Sequence, residues 1–209
     1  MHKVLIADDH AVVRRGLKQF FQERTDMVVA GEASNGLEAL EMVRREDWDV
    51  LVLDISLPLR NGMEVLQEVR RMKPHLPVLM LSVYPEEQFG LRVLKAGAAG
   101  YLNKASALDE LVTAINRIVG GGKYISPALA ERFAHELSGD LNRAPHELLS
   151  DREYDVMRML GAGKPPGYIA QELVLSVKTI STYRARVLNK LNLKSNAELI
   201  RYVMEHDLV

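Results

Sequence analysis

Four short apolar runs, each ended by a polar residue, constrain the fold of this 209-residue chain more than any other feature. Runs of this length between turn-forming residues are typical of buried parallel strands. In an open α/β sheet, ligands bind outside the carboxyl ends of the strands. We therefore expect the polar residues that end the runs to meet at one edge of one sheet. The runs are residues 3–7, 50–53, 77–81 and 99–103, and they lead into Asp8 and Asp9, Asp54, Ser82 and Lys104.

The first 120 residues alternate strand and helix patterns five times, which predicts an α/β fold with a parallel sheet covered on both faces. Strands are predicted at residues 3–8, 27–33, 50–54, 77–82 and 99–102. Helices are predicted at residues 10–23, 35–46, 62–72, 85–96 and 107–119. Helical spacing predicts inner faces made by Val12, Val13, Leu17, Phe20 and Phe21 in the first helix and by Leu37, Leu40 and Val43 in the second.

A second, smaller domain is predicted after a linker. The three glycines at 120–122 are too flexible for a helix interior, so residues 121–145 are expected to be a linker with one short helix at 126–137. Strand patterns vanish from residue 146 onward, and an all-α domain is predicted over 146–209. Ser150 and Glu153 have the spacing of a capping box at its first helix. Its helices are predicted near residues 151–162, 166–174, 177–191 and 196–206.

Bulk composition narrows the functional classes. The formal net charge of −1 argues against a strongly basic nucleic-acid binder but allows a local basic surface. The chain has no cysteine, which excludes disulfides and thiol chemistry. Its first residues lack the pattern of a signal peptide, and no apolar run approaches the roughly 18 residues of a transmembrane helix. We therefore expect a soluble, cytoplasmic protein without a membrane partner.

The predicted sheet edge has the groups that a phosphorylation switch requires. Asp8 and Asp9 would repel each other, and a hard cation such as Mg²⁺ with oxygen ligands would relieve that repulsion. Asp54 follows a purely apolar strand and would be presented alone. Lys104 can bind a phosphoryl group as a point charge, and the hydroxyl of Ser82 can donate a hydrogen bond to it. Each carboxylate taken singly could equally be a helix cap or a solvated turn.

Two other kinds of site compete with this interpretation. A phosphatase with an aspartate nucleophile commonly has a second aspartate two residues later as general acid, and Ser56 occupies that position here. A nucleotide-binding site requires a glycine-rich loop after the first strand, where this chain has Asp8, Asp9 and His10. Both alternatives are disfavoured, and we expect the protein not to be an enzyme.

Residues 3–120 resemble the receiver domain of bacterial two-component response regulators. The matching residues are Asp8-Asp9, Asp54 followed by Pro58 and Gly62, Ser82, Tyr101 and Lys104. The resemblance implies a flavodoxin-like fold, a five-stranded parallel sheet of order 2-1-3-4-5. Leu57 and Ala105 depart from the commoner family residues without removing any functional group.

The same resemblance implies a role for each polar residue of the sheet edge. It implies Asp54 as the residue that is phosphorylated, with Lys104 reading the phosphate. It implies Mg²⁺ ligands at Asp9, Asp54 and the backbone carbonyl of Ser56, with Asp8 acting partly through water. Ser82 and Tyr101 would be the switch pair, in which the hydroxyl moves toward the phosphate and the aromatic ring turns inward.

The helix predicted at 177–191 has one polar and one apolar face. The apolar stripe is expected from Val177, Ile180, Val187, Leu188 and Leu191. The outward residues suit base edges and phosphates, and they are Lys178, Thr179, Thr182 and Arg186. Arg184 and Lys190 lie nearer the margins of this face, where phosphates are the expected targets. A solvated basic helix would look similar, but the short helix and tight turn before it favour a helix-turn-helix.

Residues 149–209 resemble the LuxR-type helix-turn-helix domain of the NarL/FixJ family. The matching residues include Leu149 to Glu153, Gly163, Ile169-Ala170, Lys178 to Ile180 and Asn196-Ala197. The resemblance implies that the N-terminal half of the helix at 177–191 enters the major groove of double-stranded DNA. It also implies a dimer contact from the last helix, for which Leu199, Val203, Leu208 and Val209 are apolar enough.

The second domain departs from its family at two places. Pro165-Pro166-Gly167-Tyr168 replaces the usual Ser-Asn-Lys-Glu, which removes a lysine and two backbone donors and weakens any phosphate contact there. Ser181 and Tyr183 also differ from the commoner residues, and we interpret them as a difference in DNA specificity. Basic residues barely outnumber acidic ones over 146–209, so a monomer should bind DNA weakly and dimerisation should supply the affinity.

These observations predict a transcription regulator that a sensor histidine kinase phosphorylates on Asp54 and that binds DNA as a homodimer when active. The alternative is a phosphorylation-controlled protein whose helical domain binds other proteins. The pattern of the helix at 177–191 argues against that alternative.

Overall fold

The computed structural model describes residues 1–22, 25–105, 107–137 and 144–208. Their contacts divide the chain into two compact units, Met1–Gly139 and Asp140–Val209. The short helix expected within the linker therefore belongs to the first unit. No helix in the described part of the chain is both long enough and apolar enough to cross a membrane.

The first unit is built on five parallel strands, which are β1 (His2–Ala7), β2 (Met27–Ala33), β3 (Val50–Asp54), β4 (Val78–Ser82) and β5 (Gly100–Asn103). Their order is β2-β1-β3-β4-β5, so the predicted topology is confirmed. Every residue of β3 and β4 is buried, as expected for central strands with both faces covered. Asp54 lies opposite Leu81, and Ser82 lies opposite Asn103, so the carboxyl ends of these strands form one edge.

One helix follows each strand of the first unit, and a sixth helix comes after the fifth. They are α1 (Ala11–Gln22), α2 (Gly36–Arg45), α3 (Gly62–Met72), α4 (Glu86–Lys95), α5 (Ala107–Val119) and α6 (Pro127–Leu137). Asn35 and Asn61 cap α2 and α3, because their side chains accept hydrogen bonds from backbone N–H groups of the first turn. These caps fix where the two helices begin.

The main core lies between the sheet and the helices α1 and α5. Its strand residues alternate along the chain, as in the pairs Val4 and Ile6 of β1 and Val50 and Val52 of β3, because successive side chains point to opposite faces. The members contributed by α1 and α5 are Leu17, Phe21, Leu111, Ala114, Ile115 and Ile118. Burying one such large side chain is worth roughly 1.5–3 kcal/mol, so this core contributes substantially to the stability of the unit.

Two residues predicted on inner helix faces are exposed. Val12 is 81% exposed, because it lies about 140° around α1 from Leu17 at 3.6 residues per turn. Leu37 is half-exposed in the first turn of α2, at the margin of the stripe made by Leu40 and Val43. The apolar spacing alone did not distinguish the margin of a stripe from its centre.

The second unit is helical throughout its described residues. It consists of a 3₁₀ helix (Pro145–Leu148), α7 (Asp151–Gly161), α8 (Pro166–Glu172), α9 (Val177–Lys190) and α10 (Asn196–Glu205). The predicted capping box at Ser150 and Glu153 is confirmed, with both reciprocal hydrogen bonds present. The helix α8 ends two residues earlier than predicted, because Val174 adopts a left-handed conformation with φ of 55°.

The core of the second unit forms where α7 packs against α9 and α10. Ile180 and Val187 of α9 are fully buried, as predicted, whereas Val177 is exposed at the first position of that helix. A residue at the first turn of α9 extends beyond the surface that α7 and α8 cover, so its apolar character did not bring it inside.

The residues predicted to make a dimer contact are buried within their own domain. Leu199 and Val203 are fully buried, and Leu208 is nearly so. The prediction that these three side chains pair two protomers is therefore wrong, and Val209 lies outside the described residues. Met204, which is 65% exposed, is the large apolar side chain that α10 presents to solvent.

Candidate functional site

Asp54 is the last residue of β3, and a glycine close to its backbone holds the loop that follows. The N–H of Gly62 donates a 2.8 Å hydrogen bond to the carbonyl oxygen of Ile55. A Cβ at Gly62 would overlap the carbonyl oxygen of Asp54, so no other residue fits without a shift of the backbone. The loop from Ile55 to Asn61 is thereby drawn back beneath α3, and Asp54 ends the strand at the sheet edge.

Three of the predicted residues form one buried charge cluster. The Nζ atom of Lys104 lies 2.7 Å from Oδ2 of Asp8 and 2.9 Å from Oδ2 of Asp54. The side chains of Asp8 and Asp54 are 1% and 3% exposed, and that of Lys104 is 10% exposed. Two buried carboxylates therefore share a single ammonium group, and the cluster retains a net negative charge.

The burial of this cluster alters the proton affinities of its members. Burial, together with the charge of Asp8, raises the pKa of Asp54 above its ordinary value, although Lys104 and the backbone N–H of Ser56 act in the opposite direction. Burial also acts to lower the pKa of Lys104, but the charges and hydrogen bonds of Asp54 and Asp8 outweigh it and leave that pKa raised. The ammonium stays charged, while the ionised form of Asp54 is held at an energetic cost.

Asp9 and His10 lie at the exposed side of the cluster. Nδ1 of His10 lies 2.7 Å from Oδ1 of Asp9 and 3.2 Å from Oδ1 of Asp8. One ligand atom from each of Asp8, Asp9, His10 and Asp54 lies within 4.8 Å of the others. Three carboxylates at this spacing are the hard oxygen donors that Mg²⁺ prefers, so the residues fit the ion. No role was predicted for His10, although its place directly after Asp9 puts it beside the site.

The predicted switch residues lie next to this cluster. Ser82 is buried, and its hydroxyl oxygen accepts a 3.1 Å hydrogen bond from the backbone N–H of Tyr84. Tyr101 is also buried, and its hydroxyl donates a 2.7 Å hydrogen bond to the carbonyl oxygen of Tyr84. Tyr84 therefore joins the two residues, and it is a member of the network that the sequence analysis missed.

The polar face of α9 carries most of the residues predicted to contact DNA. Lys178, Thr182 and Arg186 are exposed on the same side of the helix. Thr179 is half-buried, and its hydroxyl lies 2.8 Å from that of Ser176, which caps α9. Two hydrogen-bonding cations and a threonine are thus directed to solvent, an arrangement that suits the major groove.

The two residues predicted at the margins of that face are engaged within the domain. Nε of Arg184 donates a 2.6 Å hydrogen bond to Oδ1 of Asn196. Nζ of Lys190 lies 2.6 Å from Oε2 of Glu153, whose side chain is 4% exposed. Burial alone would raise the pKa of Glu153, but the hydrogen bonds from Lys190 and Ser150 outweigh it and lower that pKa. Each cation thus already uses one donor within the domain, and its remaining N–H donors are the ones left for a phosphate.

The unusual Pro165-Pro166-Gly167-Tyr168 segment still starts a helix. Pro166 occupies the first position of α8, where a missing N–H is tolerated, and no side chain caps the helix. Lys164 lies over the ring of Tyr168, 4.9 Å from its centroid, and its Nζ is 3.1 Å from Glu172. Lys164 is therefore engaged by Tyr168 and Glu172 of α8.

Comparison with protein families agrees with this two-part architecture. Residues 4–116 match the response regulator receiver domain, and residues 147–203 match the luxR family of bacterial regulatory proteins. Together the two matches cover most of the chain. They divide it close to the boundary between the two compact units.

Similar proteins extend over the full length of the chain. The response regulator GacA of Pseudomonas syringae pv. syringae (strain B728a) is 36% identical over 210 residues, covering 100% of this chain and 98% of GacA. A putative transcriptional regulator of Pseudomonas aeruginosa is 40% identical, with 100% of both chains covered. Among solved structures, the RcsB response regulator of Salmonella typhimurium has a TM-score of 0.71 and 25% identity, covering 98% of this chain and 97% of RcsB. The chain therefore belongs to the NarL/FixJ family of two-component response regulators, DNA-binding transcription regulators rather than enzymes, with a receiver domain followed by a LuxR-type helix-turn-helix domain.

Proposed function

We propose that this response regulator is phosphorylated on Asp54 by a sensor histidine kinase and then binds DNA as a homodimer. The observation that carries the proposal is the buried cluster of Asp54, Asp8 and Lys104 at the carboxyl edge of the sheet. Such a cluster lacks one positive charge, and it has a lysine in reach of any group attached to Asp54. The cytoplasm is the compartment where such a regulator meets both its kinase and DNA.

In the proposed reaction an oxygen of Asp54 attacks the phosphorus of a phosphohistidine on the kinase. The phosphorus–nitrogen bond breaks as the phosphorus–oxygen bond forms, and the departing imidazole nitrogen takes a proton from solvent. Asp9, Asp54 and the carbonyl of Ser56 would hold Mg²⁺, with Asp8 acting partly through water, and the ion would neutralise charge on the transferred group. Lys104 would then exchange its contact with the Asp54 carboxylate for one with a phosphoryl oxygen.

The switch step is proposed to begin at Ser82. Its hydroxyl would turn to donate a hydrogen bond to a phosphoryl oxygen, and the loop that carries Tyr84 would follow. The carbonyl oxygen of Tyr84 also accepts a hydrogen bond from the hydroxyl of Tyr101. A shift of this loop therefore changes what the ring of Tyr101 contacts. Phosphorylation would in this way favour one of two pre-existing arrangements of the receiver domain.

The DNA contacts are proposed to come from the exposed face of α9, with the N-terminal half of the helix in the major groove. Lys178, Thr182 and Arg186 are exposed and suit base edges, with Thr179 beside them at the start of the helix. Arg184 and Lys190 each already donate a hydrogen bond within the domain, to Asn196 and Glu153, so we propose them as secondary contacts with phosphates. The exposed side of α10 near Met204 is the surface of that helix on which a second protomer could pack.

The test is DNA binding by the full-length protein with and without a small phosphoryl donor in Mg²⁺. The parent should be labelled and should select specific fragments from a random DNA pool more strongly after labelling. Asp54→Asn should lose both the labelling and the gain, whereas Asp26→Asn, a change at an exposed aspartate of the same domain, should keep both. Equal labelling of the Asp54 variant would refute the acceptor assignment. Absence of DNA selection in every state would favour the protein-interaction alternative.

A further inference from the structure

The exposed face of α9 has small side chains at its centre. Four exposed residues, spaced at i, i+3, i+4 and i+7, lie in one row along the first part of the helix. They are Lys178, Ser181, Thr182 and Ala185, and we call them the row. Only the lysine at the start of the row has a long side chain. Because the other three are short, the backbone of α9 can approach the floor of a groove closely at the middle of the row.

Both hydroxyl groups of the row are bonded to the helix itself. Oγ of Ser181 donates a 3.0 Å hydrogen bond to the carbonyl oxygen of Val177. Oγ1 of Thr182 donates a 3.1 Å hydrogen bond to the carbonyl oxygen of Lys178. A hydroxyl has a single proton, so neither group has a donor left for a base edge. Besides the lone pairs of its oxygen, Thr182 therefore offers a partner its methyl group, and Ala185 offers a methyl group alone.

Two cations lie at the margins of the row and are held within the domain. At 3.6 residues per turn, Arg184 and Lys190 lie roughly 120° to either side of the centre of the row. Nε of Arg184 is bonded to Asn196 at 2.6 Å, and Nζ of Lys190 is bonded to Glu153 at 2.6 Å. Cations in these places suit the phosphates on the two walls of a groove better than the bases on its floor. The middle of the groove is therefore left to the short side chains of the row.

Thymine is the base that presents an apolar group in the major groove. Its C5 methyl group projects there, and the methyl groups of alanine and threonine are suitable partners for it. Thr182 and Ala185 are three residues apart, which is a rise of about 4.5 Å along the helix. Neighbouring bases of one DNA strand are about 3.4 Å apart. The two methyl groups of the row therefore have the spacing to contact neighbouring base pairs.

We propose that Thr182 and Ala185 select DNA half-sites that have thymine at two neighbouring base pairs, by packing their methyl groups against the C5 methyl groups of the bases. The proposal rests on the DNA contact proposed above for α9, to which it adds Ala185 as a specificity-determining residue. Cytosine lacks the C5 methyl group, and a purine in the same place presents no apolar group to Ala185. Preference at these two base pairs thus comes from apolar contact, without a hydrogen bond from the row.

The first test is selection of DNA from a random pool by the full-length protein with a phosphoryl donor, followed by replacement of each selected thymine by uracil, which lacks only the C5 methyl group. At the two contacted positions the affinity should fall about fourfold for each half-site, as expected for one buried methyl group. Thymines elsewhere in the fragment should tolerate uracil and serve as the control. A half-site without neighbouring thymines, or one in which uracil is tolerated throughout, overturns the methyl contact and leaves sequence-specific DNA binding intact. Failure to select any fragment in any state overturns the DNA contact as well.

The second test assigns the two methyl groups. Ala185→Gly should abolish the difference between thymine and uracil at one position, and Thr182→Ser, which keeps the hydroxyl, should abolish it at the neighbouring position. Because both DNAs are compared with the same protein, any loss of folded protein affects the two affinities equally and cancels. Thr182→Val removes the hydroxyl and keeps a methyl group, so it should retain the preference for thymine. If Thr182→Val loses that preference while Thr182→Ser keeps it, the hydroxyl reads the base and the proposal is wrong.

Discussion

Each domain holds a buried carboxylate beside a lysine, Asp54 with Lys104 and Glu153 with Lys190, and the two pairs differ in what else surrounds them. Asp54 of the receiver lies 2.9 Å from Lys104, and Glu153 of the helix-turn-helix domain lies 2.6 Å from Lys190. Glu153 also accepts the N–H of Ser150 at 2.8 Å, so its charge is matched by a cation and a capping donor. Asp54 shares Lys104 with Asp8, so the cluster keeps a net negative charge.

Because of this difference, the pKa values of Asp54 and Glu153 are shifted in opposite directions. The pKa of Asp54 is raised, chiefly by burial, whereas hydrogen bonds to Lys190 and Ser150 overcome burial and lower the pKa of Glu153. A buried carboxylate whose charge is compensated stabilises its fold, and one whose charge is incompletely compensated favours binding of a cation. The surroundings of Glu153 therefore compensate its charge, whereas those of Asp54 leave an excess of negative charge.

The largest expected effect is that of Lys104→Ala. The change leaves Asp8 and Asp54 buried beside each other without a cation, which should cost the receiver about 3 kcal/mol at neutral pH. Mg²⁺ should restore part of this loss, because it supplies positive charge at the same carboxylates. Lys18→Ala, which removes an exposed partner of Glu32, should cost less than about 1 kcal/mol and show no Mg²⁺ dependence. Denaturant titration with and without Mg²⁺ measures both, and a Lys104 variant that Mg²⁺ leaves unchanged would contradict the charge argument.

A smaller loss is expected from Lys190→Ala in the second domain. The lysine is 42% exposed, so solvent can partly replace it, and the loss should be about 1–2 kcal/mol. Mg²⁺ should not restore stability, since Glu153 has no second carboxylate beside it in the described structure. Lys178→Ala is the matched control, because Lys178 is exposed on the same helix and should leave unfolding unchanged. Equal unfolding of the two variants would show that the pair with Glu153 contributes nothing.

The sequence predicted that Asp54 and Lys104 meet, but it missed the contact between Glu153 and Lys190. Strand ends identified Asp8, Asp54 and Lys104, because parallel strands bring their carboxyl ends to one edge. The capping box identified Glu153, because its partner is only three residues away. The contact of Glu153 with Lys190 spans 37 residues and depends on how α7 packs against α9, which no local pattern encodes.

Local patterns also failed where an apolar residue lies at the end of a helix. Val12 and Val177 are apolar and near a helical stripe, yet both are exposed, because Val12 points away from Leu17 around α1 and Val177 is the first residue of α9. Leu199 and Val203 were assigned to a dimer surface for the opposite reason: their burial against α7 depends on tertiary packing. Spacing predicts that a face is apolar, and only packing decides what covers it.

Neutralising the two carboxylates should have effects of opposite sign. Asp54→Asn removes an incompletely compensated buried charge and should stabilise the receiver by about 1 kcal/mol at neutral pH. Glu153→Gln removes the charged acceptor of Lys190 and Ser150 and should destabilise its domain by about 1 kcal/mol. Thermal unfolding of both variants and the parent tests whether one change stabilises its domain and the other destabilises its own. Destabilisation by both changes would mean that Lys104 already satisfies Asp54.

The smallest expected effect is an opposite response of the two domains to mild acid. For Asp54, with its raised pKa, the stabilising contribution is present below the ordinary value of 3.8 and is lost as pH rises through the raised pKa. For Glu153, with its lowered pKa, the contribution is present above the ordinary value of 4.5 and is lost as pH falls through the lowered pKa. Acidification should therefore raise the stability of the receiver through Asp54 and lower the stability of the second domain through Glu153.

This response can be measured separately in each domain. The single tryptophan, Trp48, is buried in the receiver and reports its unfolding by fluorescence, while amide exchange in α7 and α9 reports the second domain. Asp54→Asn should flatten the acid dependence of the tryptophan signal and leave exchange in α7 and α9 as in the parent. Glu153→Gln should do the reverse. If neither substitution alters the acid dependence of unfolding, other titratable groups cause it. The pKa shifts of Asp54 and Glu153 would then make no measurable contribution to the stability of their domains.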